Sequence, residues 1–307
     1  MAEPVPAGAC ALAKRRATGH LDGMTDAPTG VAVTLDPLVT RVLAPNPSPF
    51  THSGTQTHLV GTTDLAVIDP GPDDPGHLNA LLRAIDGRRV GAIVVTHTHR
   101  DHSPLSRALK QATGAPVVGC APLAIADLGP RADAAFDFAY APDRVLADGE
   151  RVGGDGWTLE AVATPGHTSN HLAFALIENG ALFSGDHVMG WSTTIVSPPD
   201  GDMAAYMASL DKLLLRDDRI YYPGHGDPIE RPQRFVRGLL GHRKHREGQI
   251  VRLLGEGVGA VSQMVERMYV GIDRRLFPAA ERSVLAHLID LERRGLASRE
   301  GGSWRNV

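Results

Sequence analysis

The chain has 307 residues with 31 Lys/Arg against 35 Asp/Glu, a formal charge of −4, and is 42% apolar and 21% charged. That length supports one large domain or a domain with a small companion, and the balance excludes long disorder, a coiled coil and a strongly basic histone-like binder. Two cysteines, Cys10 and Cys120, are too few for a disulfide framework or a zinc finger and are read as free thiols.

No apolar run approaches the roughly 20 residues needed to span a bilayer. The opening MAEPVPAGACALAKRR places its arginines after a short apolar stretch, the reverse of a secretory signal. The expectations are therefore no membrane partner and a cytoplasmic location.

Residues 1–33 are rich in Ala, Gly, Pro and Thr without periodicity and are expected to be a flexible extension, ahead of a catalytic domain over 34–234. Short strands are predicted at Leu38–Leu43, Thr57–Gly61 and Leu65–Ile68. "PGHLNALLRAID" sets Leu78, Leu81, Leu82 and Ile85 on one helical face before a strand at Val90–Val95, so a strand–helix–strand unit points to an α/β fold. A helix follows over about His102–Ala112, then strands near Val117–Val118 and at Leu159–Ala163. Leu172–Ile177 and Ala181–Ser184 flank an Asn-Gly pair, a strong hairpin signal. Met203–Leu215 reads as an amphipathic helix and Arg219–Tyr222 as a strand.

From 235 to 307 the pattern changes to three helices, about Phe235–Leu254, Ala260–Met268 and Pro278–Arg294, and a terminal hairpin in "GLASREGGSWRNV", which suggests a winged helix. Charge divides there too: 13 Lys/Arg against 8 Asp/Glu from Arg237 onward, and 18 against 27 before it.

The most informative segment is "VVTHTHRDHS", where an apolar strand runs into His97, His99, Asp101 and His102. Three later segments repeat that context: His167 in "ATPGHTSNH", Asp186 in "LFSGDH" and His225 in "YYPGHGD" each follow an apolar strand and a glycine. Loops at one edge of a layered fold converge, and imidazoles with carboxylates suit zinc, manganese or iron, so these seven residues point to a metal site. Asp101 also precedes a helix and could serve as its cap, but three neighbouring histidines make ligation the better account. The glycines of "GTQTHLVG" and "PGHG" match neither a P-loop nor a dinucleotide fingerprint.

The pattern His97-x-His99-x-Asp101-His102 with His167, Asp186 and His225 resembles the ligand set of the metallo-β-lactamase fold superfamily, over about Arg41–Pro232. The resemblance implies an αββα sandwich holding two divalent ions, most readily Zn²⁺, with Mn²⁺ or Fe²⁺ as alternatives. His97, His99 and His167 would take the first ion, Asp101, His102 and His225 the second, and Asp186 would bridge. Asp69 would support the histidine loop from behind.

"VLAPNPSPFTHSGTQTHLVG", "DHVMGWSTTIV", "YYPGHG" and "HRKHREGQI" ahead of a winged helix are similar to the mitochondrial β-lactamase-like branch and its bacterial relatives. That similarity implies a hydrolase working through a hydroxide shared by two metals, with single-stranded RNA as substrate. Hydrolysis of a hydroxyacyl thioester or lactone, as in glyoxalase-II-like members, is the alternative, and a non-enzymatic nucleic-acid-binding protein with a metal-stabilised fold is another. Trp191 and "RDHSPL" depart from the family pattern beside the site.

Asp101, Asp186 and His171 are the expected catalytic residues, His171 as a contact to substrate or to a carboxylate behind the ligands, with a structural histidine hydrogen-bonding across the loop as the alternative. Arg100, Ser103, Thr193 and Thr194 are expected near the mouth. His242, Arg243, Lys244 and His245 are expected as phosphate contacts if their helix lies over the cleft, with Arg246, Arg293, Arg294, Arg299 and Arg305 adding charge, and a solvated helix face is the alternative for all of them. A homodimer is compatible with the sequence but has no motif behind it.

Overall fold

A computed structural model describes residues 28–124 and 136–307; Cys10 and residues 1–27 of the expected extension lie outside them. One sheet runs in the order β1 (Ala32–Asp36), β2 (Val39–Leu43), β3 (Gln56–Val60), β4 (Asp64–Ile68), β5 (Arg89–Val95), β6 (Val117–Gly119), β7 (Arg144–Val145). It is antiparallel up to β4 and parallel beyond, with α1 (Pro75–Ile85) and α2 (Ser106–Thr113) as crossovers. The second sheet contains β8 (Arg151–Gly154), β9 (Trp157–Ala163), β10 (Leu172–Leu176), β11 (Ala181–Gly185) and β12 (Ile220–Pro223) in the order β12-β11-β10-β9-β8. The β11–β12 pair is parallel and is connected through α3 (Met203–Leu214).

The chemistry of β10 explains the layering. Leu172, Phe174 and Leu176 enter the core between the sheets, while Ala173 and Ala175 face the other way, under helices. A strand covered on both faces reads as a continuous apolar run, with the small residues where a helix must approach. The result is an αββα sandwich. Asp74 and Asp202 cap α1 and α3 by accepting from the backbone N–H of His77 (2.6 Å) and Ala205 (2.9 Å), which starts each helix at a defined residue.

The remaining elements are α4 (Pro232–Gly255), α5 (Val261–Met268), α6 (Phe277–Arg293) and the antiparallel pair β13 (Ala297–Glu300) and β14 (Ser303–Asn306), which together make the winged helix. Its core gathers Met264, Val284, Leu288, Leu291 and Trp304.

Three expectations need correction. The first strand begins at Ala32, and Gly30 N–H already donates to Leu43 O at 2.8 Å, so the sheet reaches into the segment expected as extension. The second helix begins at Ser106 rather than His102, because Pro104 disfavours helical backbone at the residue before it and the stretch behind His99 closes as a turn instead. The domain change at 234/235 falls inside α4: Val236, Leu239 and Leu240 pack into the sandwich, whereas Ile250, Leu253 and Leu254 pack into the winged helix.

Candidate metal centre

All seven expected ligands lie just past strand ends on one edge of the sandwich: His97 to His102 after β5, His167 after β9, Asp186 after β11 and His225 after β12. The structure brings them into two adjoining groups. His97, His99, His167 and Asp186 form one, and Asp101, His102 and His225 the other; within each group the ligand atoms lie within 4.8 Å of one another. Asp186 borders both, with Oδ2 3.7 Å from His167 Nε2 and Oδ1 3.4 Å from Nε2 of both His102 and His225.

The rings are held from behind. His97 Nδ1 meets Thr96 Oγ1 at 2.9 Å, His102 Nδ1 meets Asp69 Oδ2 at 2.9 Å, His167 Nδ1 meets Ile195 O at 2.7 Å and His225 Nδ1 meets Gly54 O at 3.1 Å. Donation to the Asp69 carboxylate and to the two carbonyls places the proton on Nδ1 of His102, His167 and His225, and so turns the Nε2 lone pair inward. The same holds for His97, because Thr96 Oγ1 spends its own proton on Asp69 Oδ2 at 2.7 Å and can only accept.

Asp69, at a positive φ of 48° after β4, also takes the Thr96 N–H on Oδ1 at 2.8 Å. It thus stands behind two imidazoles, its carboxylate within 4.8 Å of ring nitrogens of His97 and His102.

Inward nitrogens crowd one another. His97 Nε2 and His167 Nε2 lie 3.0 and 3.1 Å from His99 Nδ1, and His102 Nε2 lies 3.3 Å from His225 Nε2. Two nitrogens at about 2.0–2.1 Å from a tetrahedral ion stand about 3.3 Å apart, so the spacing suits a shared cation between lone pairs that would otherwise repel. The charges ask for the same thing. Burial alone would strip the proton from His102 and His225, yet Asp101 and Asp186 outweigh it, holding His102 well above its ordinary pKa and His225 up to about 10. Burial also opposes ionisation of Asp101 and Asp186, but His102 and His225 keep both carboxyls well below the usual range. The donor set fits two divalent ions.

Two glycines allow this convergence. A Cβ on Gly224 would lie 2.7 Å from Asp186 Oδ1 and 2.7 Å from His102 Cε1, and one on Gly185, whose φ is +50°, would lie 2.6 Å from His171 Nε2.

His171 is buried and takes the alternative expected for it, a histidine hydrogen-bonded across the loop rather than a substrate contact. Its Nδ1 faces Thr164 Oγ1 at 2.8 Å and its Nε2 accepts the Asp186 N–H at 3.2 Å; burial and neighbouring His187 and His167 keep it neutral, as that acceptance requires. It positions Asp186. Asp101 caps nothing, since α2 starts after Leu105 without a side-chain cap. Ser103 is buried and donates to Asp137 Oδ2 at 3.0 Å.

Above the ligands opens a cavity of about 250 Å³ with Phe50, Met189 and Ile195 as apolar wall and Arg100 at its edge. Trp191 packs on His52 with ring centroids 4.8 Å apart and the ring planes tilted by 50°.

The basic residues of the winged helix are mostly committed elsewhere. Arg243 is buried against Thr194 O, Arg293 pairs with Asp202, Arg294 with Glu247 and Asp290, and Arg305 with Glu300. Lys244 and His245 are exposed.

Thr96, Thr164, Phe50 and Met189 were not expected at the site. Thr96 could have been noticed as the polar residue between a buried strand and the first ligand. The carbonyls of Gly54 and Ile195 carry no side-chain signal at all.

The profile described as the metallo-beta-lactamase superfamily matches residues 51–225, and that of the beta-lactamase associated winged helix domain matches residues 260–304. The chain is 32% identical over 249 residues to an atrochrysone carboxyl ACP thioesterase of Aspergillus fumigatus, covering 75% of this chain and 72% of that protein. It is 34% identical over 226 residues to the beta-lactamase-like protein 2 homolog of Caenorhabditis elegans, covering 72% of each. A beta-lactamase domain protein from Burkholderia ambifaria shares the fold with a TM-score of 0.78 at 21% identity, over 93% of this chain and 96% of that one.

Proposed function

From the premise that the chain belongs to the metallo-β-lactamase superfamily and is a hydrolase of that fold, we propose that its seven-residue cluster holds two divalent cations, zinc foremost, and that it hydrolyses acyl thioesters. The observation that carries the substrate class is the cavity wall of Phe50, Met189 and Ile195 beside the ligand groups, which suits an acyl chain. The 32% identity to a protein named as an acyl-carrier thioesterase supports the same direction.

Bound there, two divalent ions supply Lewis-acid polarisation of the acyl carbonyl and lower the pKa of water toward ~7. The chain's own residues do the rest. Asp69, Thr96, Ile195 and Gly54 fix the imidazole tautomers; Phe50, Met189 and Ile195 exclude water from the acyl side. Asp101, whose side chain is 18% exposed and takes a hydrogen bond from Thr55 Oγ1 at 3.2 Å, is the carboxylate placed to orient the attacking water and take its proton. Arg100 at the edge is placed to receive an anionic group further along the substrate.

Single-stranded RNA draws less support. Arg293, Arg294 and Arg305 are bound to carboxylates of the winged helix and of the α3 cap, and Arg243 is buried against a carbonyl, which leaves fewer cations for a phosphate backbone.

Purified protein, with metal content measured and then loaded with Zn²⁺ or Mn²⁺, should release thiol from a panel of acyl thioesters and leave uniform single-stranded RNA intact. Cleaved RNA without thiol release would replace this reading with the phosphodiesterase one.

A further inference from the structure

The winged helix is joined to the sandwich by α4, and one buried side chain on that helix reaches the loop that holds the ligands. Arg243 is 3% exposed, donates from Nη2 to Thr194 O, and lies with its guanidinium 5.1 Å from the ring centroid of Tyr206. No carboxylate among the described residues pairs with it.

Burying an unpaired guanidinium is costly, so its contact should matter to something the loop does. Thr194 Oγ1 faces Asp186 O at 2.6 Å and His187 O at 3.1 Å, and Tyr206 OH donates to His187 O at 3.1 Å. The next residue, Ile195, supplies the carbonyl that fixes the His167 ring, and Gly190 N–H donates to His225 O at 2.9 Å. The segment from Asp186 to Ile195 therefore contains one of the seven ligands and contacts two more, His167 and His225, and Arg243 pins its far end from the appended domain.

We infer that Arg243 is a positioning residue for the metal centre: by holding the Thr194 carbonyl it sets the Ile195 carbonyl and the Asp186 backbone, and so makes the winged-helix linker part of the metal-binding device. The inference rests on the two-metal reading above but not on the substrate class. A guanidinium is suited to this because its fork keeps direction where an ammonium would not.

The test is Co²⁺ titration of the metal-free full-length protein, read by d–d absorbance and by competition with a chelator, with unfolding midpoints measured alongside. Wild type should bind two equivalents. Arg243→Met should weaken Co²⁺ binding by about 10–100-fold, the usual loss when a partner behind the ligands is removed, and alter the spectrum. Arg243→Lys should recover only part of the affinity.

Should Arg243→Met fail to fold, Arg243→Gln, which is shorter and uncharged but keeps a polar end for the buried site, should shift Co²⁺ affinity in the same direction. Wild-type affinity and spectrum in Arg243→Met, or in Arg243→Gln when the former is insoluble, would overturn the positioning role. Failure of the wild type to bind Co²⁺ would overturn the metal reading and this role together, whereas a protein that binds two Co²⁺ but cleaves no thioester would contradict only the substrate class.

Discussion

At the scale of single residues, the decisive groups are those that hold a proton or a charge for someone else. Asp69 takes the His102 Nδ1–H and two contacts from Thr96. Asp69→Asn can present an amide N–H to His102, which would drive the ring proton to Nε2 and remove a lone pair from the second group. We expect about 10–100-fold weaker binding of one metal equivalent, seen by chelator competition; unchanged affinity would disconnect Asp69 from the centre. Asp186 has one carboxylate oxygen beside each group. Asp186→Asn keeps the shape and removes the charge, so close to one equivalent of metal should be lost, with a rate decrease of at least ~10²-fold. Metal analysis together with thioester kinetics checks this, and two tightly bound ions with normal turnover would rule out bridging.

At the scale of elements, α4 works for two cores, its first half in the sandwich and its second half in the winged helix. It nevertheless carries Gly238, Gly241 and Gly248, all exposed, and a Cβ on any of them would meet nothing within 4 Å. Gly248→Ala should therefore stabilise the protein by about 0.5–1 kcal/mol, since alanine loses less backbone entropy in a helix. A denaturant midpoint that does not rise would show that α4 is not a limiting element. Gly224, in the β12 end loop, predicts the opposite outcome. With its Cβ 2.7 Å from Asp186 Oδ1 and His102 Cε1, Gly224→Ala should displace the ligands and lower metal content even where the fold survives, as judged by circular dichroism.

At the scale of the whole molecule, several histidines are buried as neutral rings away from the ligands. Burial lowers His58 and His287 to about 3 and His77 and His242 to about 4. Below the unfolded value of about 6.5 the unfolded chain takes up protons that the folded chain refuses until about pH 4 to 3, so stability falls as pH drops through that window. Each such group contributes up to about 1.4 kcal/mol per pH unit. In metal-free protein His97, His171 and His187, which burial also lowers, add to the effect with the same sign, while His102 and His225, raised in the folded state, are protonated in both states below 6.5 and add nothing there. The urea midpoint should fall steeply between pH 6.5 and 5, and a flat profile would mean that these rings are charged or solvated. Among the described residues no helix is long and apolar enough to cross a membrane.

The sequence by itself determined the α/β class, the winged helix and the candidate ligands from local pattern, through apolar strands ending in glycine and a ligand, a helical face at Leu81 and Ile85 and an Asn-Gly hairpin, and the αββα sandwich through the family resemblance that the ligands carry. Side-chain period and turn chemistry are short-range quantities that a chain displays before it folds. Tertiary structure alone decided which partner each polar group meets. Arg243 reads as one more cation in a basic helix until the fold buries it against Thr194 O, and His171 reads as a contact to substrate or carboxylate until both its nitrogens are engaged by Thr164 and by the Asp186 backbone. The winged-helix charge likewise looks available to a polyanion until Arg293 meets Asp202, 91 residues earlier in the chain. Such pairings depend on contacts between distant segments and on backbone carbonyls that leave no trace in residue identity, so the site's chemistry was legible while its supporting shell and its cavity wall were not.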